Sequence, residues 1–115
     1  MFRSLEKYDK AEEYYQRALA ISIEIGHKER EAAALAYLGN LSRIIGDFEA
    51  SEVRLEKALS ISGDIGDRRK ESQILQECAI LYLFQRKIRN SLSRLHLCIE
   101  KYEELRYFLG VNDRF

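Results

Sequence analysis

Residues Ala18–Gly26 read ALAISIEIG, and the same pattern returns forty residues later as ALSISGDIG in Ala58–Gly66. When residues 8–47 are aligned with residues 48–87, ten positions are identical. The identical residues of the first unit are Glu12, Ala18, Leu19, Ile21, Ser22, Ile25, Gly26, Glu31, Leu35 and Leu41. A period of this length is typical of stacked supersecondary units that bury their apolar faces only against their neighbours.

The composition predicts one folded, all-helical domain over residues 1–115. Hydrophobic residues make up 46% of the chain and charged residues 33%, which is typical of a folded globular protein. Proline is absent and most of the six glycines stand where an apolar periodic run stops, as expected at helix ends. The chain of 115 residues has the size of a single core.

The charge pattern and the cysteines narrow the expected partners and location. Lys+Arg and Asp+Glu both number 19, without the basic excess that nucleic-acid binding needs, so we expect no nucleic-acid partner. No apolar run approaches the roughly 20 residues of a membrane span, so we expect no membrane partner. Cys78 and Cys98 fall on apolar helical stripes, which predicts free thiols and an intracellular, cytoplasmic location.

Apolar residues at steps of three and four predict five helices joined by loops of two or three residues. Loops this short make successive helices antiparallel, so the predicted architecture is a right-handed stack of helical hairpins. The predicted parts are a half-repeat helix over 5–25, a repeat over 28–64 (helices 28–45 and 48–64), a second repeat over 68–109 (helices 68–86 and 88–109), and a tail over 110–115.

The same spacing predicts which residues face the core. For the first three helices these are Tyr8, Ala11, Tyr15, Ala18, Ser22 and Ile25; Ala32, Leu35, Leu38, Gly39, Ser42 and Ile45; and Phe48, Ser51, Leu55, Ala58, Ser62 and Ile65. For the last two they are Ser72, Leu75, Cys78, Ala79 and Tyr82; and Ile88, Leu92, Leu95, Cys98, Ile99, Tyr102 and Leu105. We expect the small residues Gly39 and Ala79 to let the two helices of a hairpin approach closely.

Within each unit the chain resembles the tetratricopeptide repeat (TPR) family. The positions that carry the resemblance are Leu35, Leu38, Gly39 and Ser42 in one helix and Ser51, Leu55 and Ala58 in the next, with Ala11, Tyr15 and Ala18 in the opening half-repeat. The resemblance implies an all-α superhelix of antiparallel TPR hairpins with two and a half repeats. The forty-residue period is similar to a longer-repeat subclass that includes spindle-orientation Leu-Gly-Asn scaffolds, kinesin light chains and large multi-repeat arrays.

The resemblance also implies a concave groove, lined by the first helix of each repeat, that holds a peptide or a partner helix. The corresponding residues here are Ala33, Ala36, Tyr37, Asn40 and Arg43 in one repeat and Gln73, Gln76, Glu77, Ile80, Leu83 and Phe84 in the next. The family's recurrent groove Asn and Arg match Asn40 and Arg43. Asn40 can bracket a peptide group with a donor and an acceptor, and Arg43 can hold a carboxylate bidentately.

Two alternatives stay open at this level. Asn40 and Arg43 are either groove residues or ordinary solvated residues of an outer face. Ile80, Leu83 and Phe84 either form an exposed contact patch or are covered by the last helix or by the tail.

The sequence carries no catalytic, metal or cofactor signature, because neither His27 nor His96 belongs to a recognised ligand motif. We therefore expect a non-catalytic module that binds a protein or peptide partner in its groove. The competing hypothesis is a structural segment that assembles with itself as a homo-oligomer or belongs to a longer TPR array, because two and a half repeats leave both ends of the stack apolar.

Overall fold

The computed structural model describes residues 2–110, with side chains described from Lys7 onward, and contains five helices in that range. The helices are α1 (Phe2–Ile25), α2 (Lys28–Ile44), α3 (Phe48–Asp64), α4 (Arg68–Phe84) and α5 (Ile88–Phe108). The part of the chain described contains no strand. The predicted all-α class is confirmed. Of the predicted tail over 110–115, only Gly110 belongs to the described residues.

The helix ends follow from local chemistry. Gly26, Gly46 and Gly66 adopt φ values of 71°, 92° and 71°, a left-handed conformation that glycine reaches without steric cost. Asp47 and Asp67 then begin the next helices, because their side chains accept hydrogen bonds from backbone N–H groups at 3.2 Å and 3.1 Å. These short signals set the length of the connections and hence the antiparallel order.

The fourth connection departs from the pattern at Arg86 and Lys87. Arg86 adopts the left-handed φ of 60° although it is not a glycine. Lys87 occupies the position before α5 but makes no side-chain capping hydrogen bond. The helix that follows therefore begins at a strained and uncapped turn.

The forty-residue period is visible in the register of the helices. Helices α2 and α4 begin at Lys28 and Arg68, and helices α3 and α5 begin at Phe48 and Ile88, a shift of forty in both pairs (68 − 28 and 88 − 48). Each helix packs on the next one along the chain, and α2 also touches α4. The result is an elongated stack that measures 52 × 37 × 22 Å.

The core lies around α2, α3 and α4. One buried cluster comprises Leu35, Ala36, Leu55, Ala58, Ile74, Cys78, Leu81 and Tyr82. Ile74 and Leu81 are completely buried, although the spacing did not assign them to the core. They are buried because the first helix of a repeat packs against the preceding unit as well as against its own partner helix, so two of its faces are covered.

Gly39 sits where α2 crosses α3. A Cβ at this position would lie 2.7 Å from Cγ and 3.3 Å from the backbone nitrogen of Leu55, closer than ordinary van der Waals contact. The prediction that Gly39 permits close approach within the hairpin is confirmed.

Charged residues join one repeat to the next. Arg54 on α3 donates to Glu12 on α1 at 3.1 Å. One repeat later, Arg94 on α5 donates to Glu56 on α3 at 2.8 Å, and the Tyr82 hydroxyl donates to the same carboxylate oxygen at 3.0 Å. The two arginines are forty residues apart, whereas their partners Glu12 and Glu56 are forty-four apart, so the arginine recurs with the repeat and its carboxylate partner shifts by one helical turn.

The prediction that Ile25, Ile45 and Ile65 face the core is wrong, because these side chains are 39–61% exposed. Ile25 is the last residue of α1, and Ile45 and Ile65 are the C-cap residues of α2 and α3. At these positions the chain turns away from the neighbouring helix. The spacing of apolar residues along the helix therefore no longer predicts which way a side chain faces.

Most of the stripe predicted to pack α5 inward is also exposed. Ile88, Leu92, Leu95, Ile99 and Tyr102 are 38–60% exposed, so this part of the prediction is wrong. Two residues of the predicted stripe, Cys98 and Leu105, are partly buried, and the helix packs through them and through Ser91, which is buried. Smaller side chains at Ser91 and Cys98 allow α5 to approach α4 closely, and the larger apolar residues remain outside.

Candidate partner-binding groove

The centre of the groove is a polar cluster between α2 and α4. Asn40 and Arg43 come from α2, and Glu77 and Lys70 come from α4. Asn40, Lys70 and Arg43 are all close enough to Glu77 to favour its ionised form. The packing of α2 against α4 therefore brings together residues that lie 27 to 37 positions apart in the sequence.

Three buried atoms of this cluster have no hydrogen-bond partner among the described residues. They are Oδ1 of Asn40, Nε of Arg43 and Oε2 of Glu77. A buried polar atom without a partner costs about 1–3 kcal/mol on mutational scales. One donor and two acceptors are thus held at the junction of α2 and α4 without partners among the described residues.

The environment of Glu77 is unfavourable for its charge. Burial raises the pKa of the Glu77 carboxyl above its ordinary value. Three interactions lower this pKa: a hydrogen bond with the Asn40 side chain and the positive charges of Lys70 and Arg43. The effect of burial is larger, so the pKa remains raised. The carboxylate is therefore ready to gain from any hydrogen-bond donor that approaches it.

An aromatic wall stands at one end of the cluster. The Arg43 guanidinium lies over the Phe84 ring, 5.4 Å from its centroid, and the Phe48 ring is 6.2 Å from the same ring at an angle of 33°. Leu83 and Phe84 are more than half exposed, and Ile80 is partly buried. Helix α5 therefore does not cover Leu83 or Phe84, while residues 111–115 lie outside the described residues.

A second aromatic group stands at the other end, between α1 and α2. The Tyr37 ring stacks on Tyr15 with centroids 4.9 Å apart and planes 13° from parallel, and Tyr14 meets Tyr15 edge-on at 5.6 Å. These tyrosines line a cleft of about 340 Å³ together with Ala33 and other residues of both helices. The cleft extends the groove towards the N-terminal end of the stack.

The remaining predicted groove residues lie in two other places. Ala36 is 7% exposed and belongs to the core cluster, so it supports the groove from behind. Gln73 and Gln76 are exposed and line a cleft of about 540 Å³ between α4 and α5, together with Tyr102.

Sequence reasoning missed three contributors to this surface. Lys70 lies seven residues before Glu77, two helical turns away on the same face, so its position could have been inferred from spacing. Tyr15 and Phe48 were assigned to the core, and they reach the groove because they belong to the helices that flank α2. No local sequence signal shows that contact.

The nucleophilic side chains at the centre of the core are held in their neutral forms. Burial, followed by the nearby charge of Glu56, raises the pKa of the Cys78 thiol to about 12 and that of Tyr82 to about 12. A thiol with this pKa is not ionised at neutral pH and cannot act as a thiolate nucleophile. In the described part of the chain, no three His, Cys, Asp or Glu residues are placed to hold a metal ion.

Comparison with known proteins assigns the family. The family model described as Tetratricopeptide repeat matches residues 1–64, more than half of the chain. The chain belongs to the tetratricopeptide repeat family. The matched part of this TPR protein ends at Asp64, the last residue of α3. No curated protein matches the chain at a significant level.

TPR repeats generally mediate protein–protein interaction, and the family is typically non-catalytic. None of the helices in the described region is long and apolar enough to cross a membrane.

Proposed function

We propose that the groove between α2 and α4 binds a peptide or a helix of a partner protein and catalyses no reaction. The observation that carries this proposal is the set of three buried, unpartnered atoms on Asn40, Arg43 and Glu77. Exposed aromatic side chains, Tyr37 and Phe84, flank this set. Fixed polar groups between apolar anchors are the usual composition of a protein recognition site.

The polar atoms suit the main chain of a peptide. Oδ1 of Asn40 and Oε2 of Glu77 can accept from peptide N–H groups, and Nε of Arg43 can donate to a peptide carbonyl. Taken alone, Arg43 could bind the free carboxylate of a peptide C-terminus. The negative charge of Glu77 beside it would repel that carboxylate. We therefore infer that the groove binds an internal segment of its partner rather than a C-terminus.

The proposal also covers the subclass and the cellular setting. The forty-residue register of the helix pairs supports assignment to the longer-repeat subclass, with its Leu-Gly-Asn scaffolds and kinesin light chains. Cys78 and Cys98 are free thiols, which supports a reducing, intracellular environment.

The test uses peptides selected from a displayed random library against the full chain. We expect the selected peptides to bind the double variant Asn40→Ala with Arg43→Ala at least about tenfold more weakly than the wild type. The substitutions remove one acceptor and one donor with which the peptide would form hydrogen bonds. Asn90→Ala with Arg17→Ala is the matched control, because both residues are exposed and lie outside the groove. Undiminished binding to the groove variant, with helicity intact, would show that the peptides bind elsewhere.

The pH dependence of stability provides a second test at Glu77. Because burial raises the folded-state pKa of Glu77, native protein binds this proton more readily than unfolded protein, and stability from this site rises as pH falls. Glu77→Gln should therefore melt at a higher temperature than the wild type at neutral pH, and the difference should shrink as pH falls through the raised pKa. Glu24→Gln on α1 controls for the amide substitution. A difference between Glu77→Gln and wild type that is constant with pH would contradict the environment described for Glu77.

A further inference from the structure

The groove faces of α2 and α4 carry equivalent columns of three residues each. Members of a column are seven residues apart, and the columns are forty residues apart: Arg30, Tyr37 and Ile44 on α2, and Lys70, Glu77 and Phe84 on α4. Seven residues are about two helical turns, so each column runs along one face of its helix. Alternate helices of an antiparallel stack run in the same direction, so the columns form three levels: two cations, then Tyr37 and Glu77, then two apolar residues.

The first level, formed by Arg30 and Lys70, has an excess of positive charge. Neither residue forms an ion pair with another residue in the described part of the chain. Glu31 and Glu71, the residues that follow them, are each paired with a different lysine, at 3.3 Å and 3.8 Å. Glu29 is exposed beside Arg30, but one carboxylate does not balance two cations. This level can therefore attract a negatively charged group of a partner.

The third level is apolar and open to solvent. Ile44 is 53% exposed and Phe84 is 58% exposed, although the Arg43 guanidinium lies over one face of the Phe84 ring. A further helix of the stack would not cover them, because repeats are added at the ends of a stack and leave the groove faces open. Exposed apolar side chains at one end of a polar groove are typical of a contact site.

We propose that the partner segment lies along this groove in one direction, with aspartate or glutamate at the cationic level and a large apolar residue at the apolar level. This inference rests on the groove function proposed above. Fourteen residues separate the two levels in each column, which is about 21 Å along a helix. An extended peptide covers that distance in about six residues. The reversed placement is disfavoured, because it would bury the partner's carboxylates against apolar side chains.

The peptides selected against the full chain test this partner chemistry. Among peptides that lose affinity for the double variant Asn40→Ala with Arg43→Ala, we expect an acidic residue about six positions from a large apolar residue. Peptides that depend on Asn40 and Arg43 but lack this pair would overturn the directional binding and leave the groove function intact. If no selected peptide depends on those two residues, both proposals fail.

Charge reversal tests the acidic end of the partner. Arg30→Glu with Lys70→Glu should weaken the binding of such a peptide at least about tenfold, and a peptide with lysine in place of its acidic residues should bind this variant again. Lys57→Glu with Arg89→Glu is the matched control, because it changes the net charge equally through exposed cations outside the groove. Equal losses in the two double variants, or no rescue by the lysine peptide, would overturn the cationic level as the acidic subsite. Circular dichroism verifies that both variants are folded.

Truncation tests the apolar end. Ile44→Ala with Phe84→Ala should weaken binding at least about tenfold for the selected peptide, and should have little effect on a peptide with alanine in place of its large apolar residue. Ile23→Ala with Val53→Ala is the matched control, because both residues are exposed and aliphatic and lie on α1 and α3. The same loss with both peptides would mean that the apolar residue of the partner binds elsewhere, which would overturn the direction of binding.

Discussion

Helices α3 and α5 occupy the same place in successive repeats, yet they have different surroundings. Leu55 on α3 is completely buried, while Leu95, forty residues later on α5, is 38% exposed. Helix α3 lies between α2 and α4, whereas α4 is the only described helix on which α5 packs. Equivalent residues thus differ in burial because of the number of neighbouring helices, and local sequence does not set that number.

The largest expected effect concerns the two equivalent leucines. Leu55→Ala should lower the free energy of unfolding by about 2–5 kcal/mol, because it opens a cavity between three helices. Leu95→Ala should cost less than about 1.5 kcal/mol in the monomer, since part of that side chain is already in water. Urea denaturation of both variants, at a concentration too low for association, measures the difference. Equal costs would mean that α3 and α5 are covered to the same extent.

The second comparison concerns the turns before α3 and α5. Changing Arg86→Gly together with Lys87→Asp gives the α5 turn the Gly-Asp pair found at Gly46-Asp47. We expect stability to rise by about 2 kcal/mol, roughly half from relief of the left-handed residue and half from the new cap.

Part of that gain is offset by the loss of the Lys87 ammonium from its place over the Tyr82 ring, 5.9 Å from the centroid. The reverse change before α3, Gly46→Arg with Asp47→Lys, is the control and should lose a similar amount. No gain in the α5 variant would mean that its turn is not strained in solution.

The third comparison tests the close approach inside each hairpin. Gly39→Ala should destabilise the protein by about 1–2 kcal/mol. The new methyl group overpacks against Leu55, and the energy that this costs is larger than the energy gained from the higher helix propensity of alanine. The equivalent Ala79 already has a Cβ, so Ala79→Gly should also destabilise, by about 1 kcal/mol through lost helix propensity. Thermal melts measured side by side test this pair. A more stable Gly39→Ala protein would contradict the tight crossing of α2 and α3.

The smallest effect is expected at two buried serines. Ser91 Oγ on α5 donates to the Ala79 carbonyl at 3.0 Å, while Ser51 Oγ on α3 has no partner in the part of the chain that the structure describes. Ser91→Ala should therefore cost about 0.5–1.5 kcal/mol, and Ser51→Ala should be neutral or stabilising. The midpoints of urea denaturation distinguish the two variants, provided that both unfold with the same dependence of free energy on urea concentration. An equal cost at both sites would mean that Ser51 has a hydrogen bond in solution.

Helix positions were predictable because their signals are local. The helix predicted over 28–45 spans Lys28–Ile44, and the one predicted over 48–64 spans Phe48–Asp64. Glycine at the end and aspartate at the next start fix these limits through bonds within a few residues. The helix predicted over 68–86 ends at Phe84, where Arg86 replaces the glycine that marks the earlier ends.

The groove was predictable only in outline. Spacing and family resemblance placed Asn40, Arg43 and Glu77 on one face, but the absence of partners for their buried atoms depends on how α2 and α4 meet. The part played by Tyr15 and Phe48 depends on the flanking helices in the same way. Contacts between residues far apart in sequence leave no periodic signal within one helix.

The sequence by itself determined the helices, their antiparallel order and the forty-residue repeat, because caps, glycine turns and apolar spacing act over short distances. The tertiary structure alone decided which apolar stripe of α5 is buried. That helix has two candidate stripes, and the one with small residues at Ser91 and Cys98 packs on α4 because it allows the closer approach. The other stripe, from Ile88 to Tyr102, stays exposed because burial requires a second surface, and within the described stack α5 has only one neighbour.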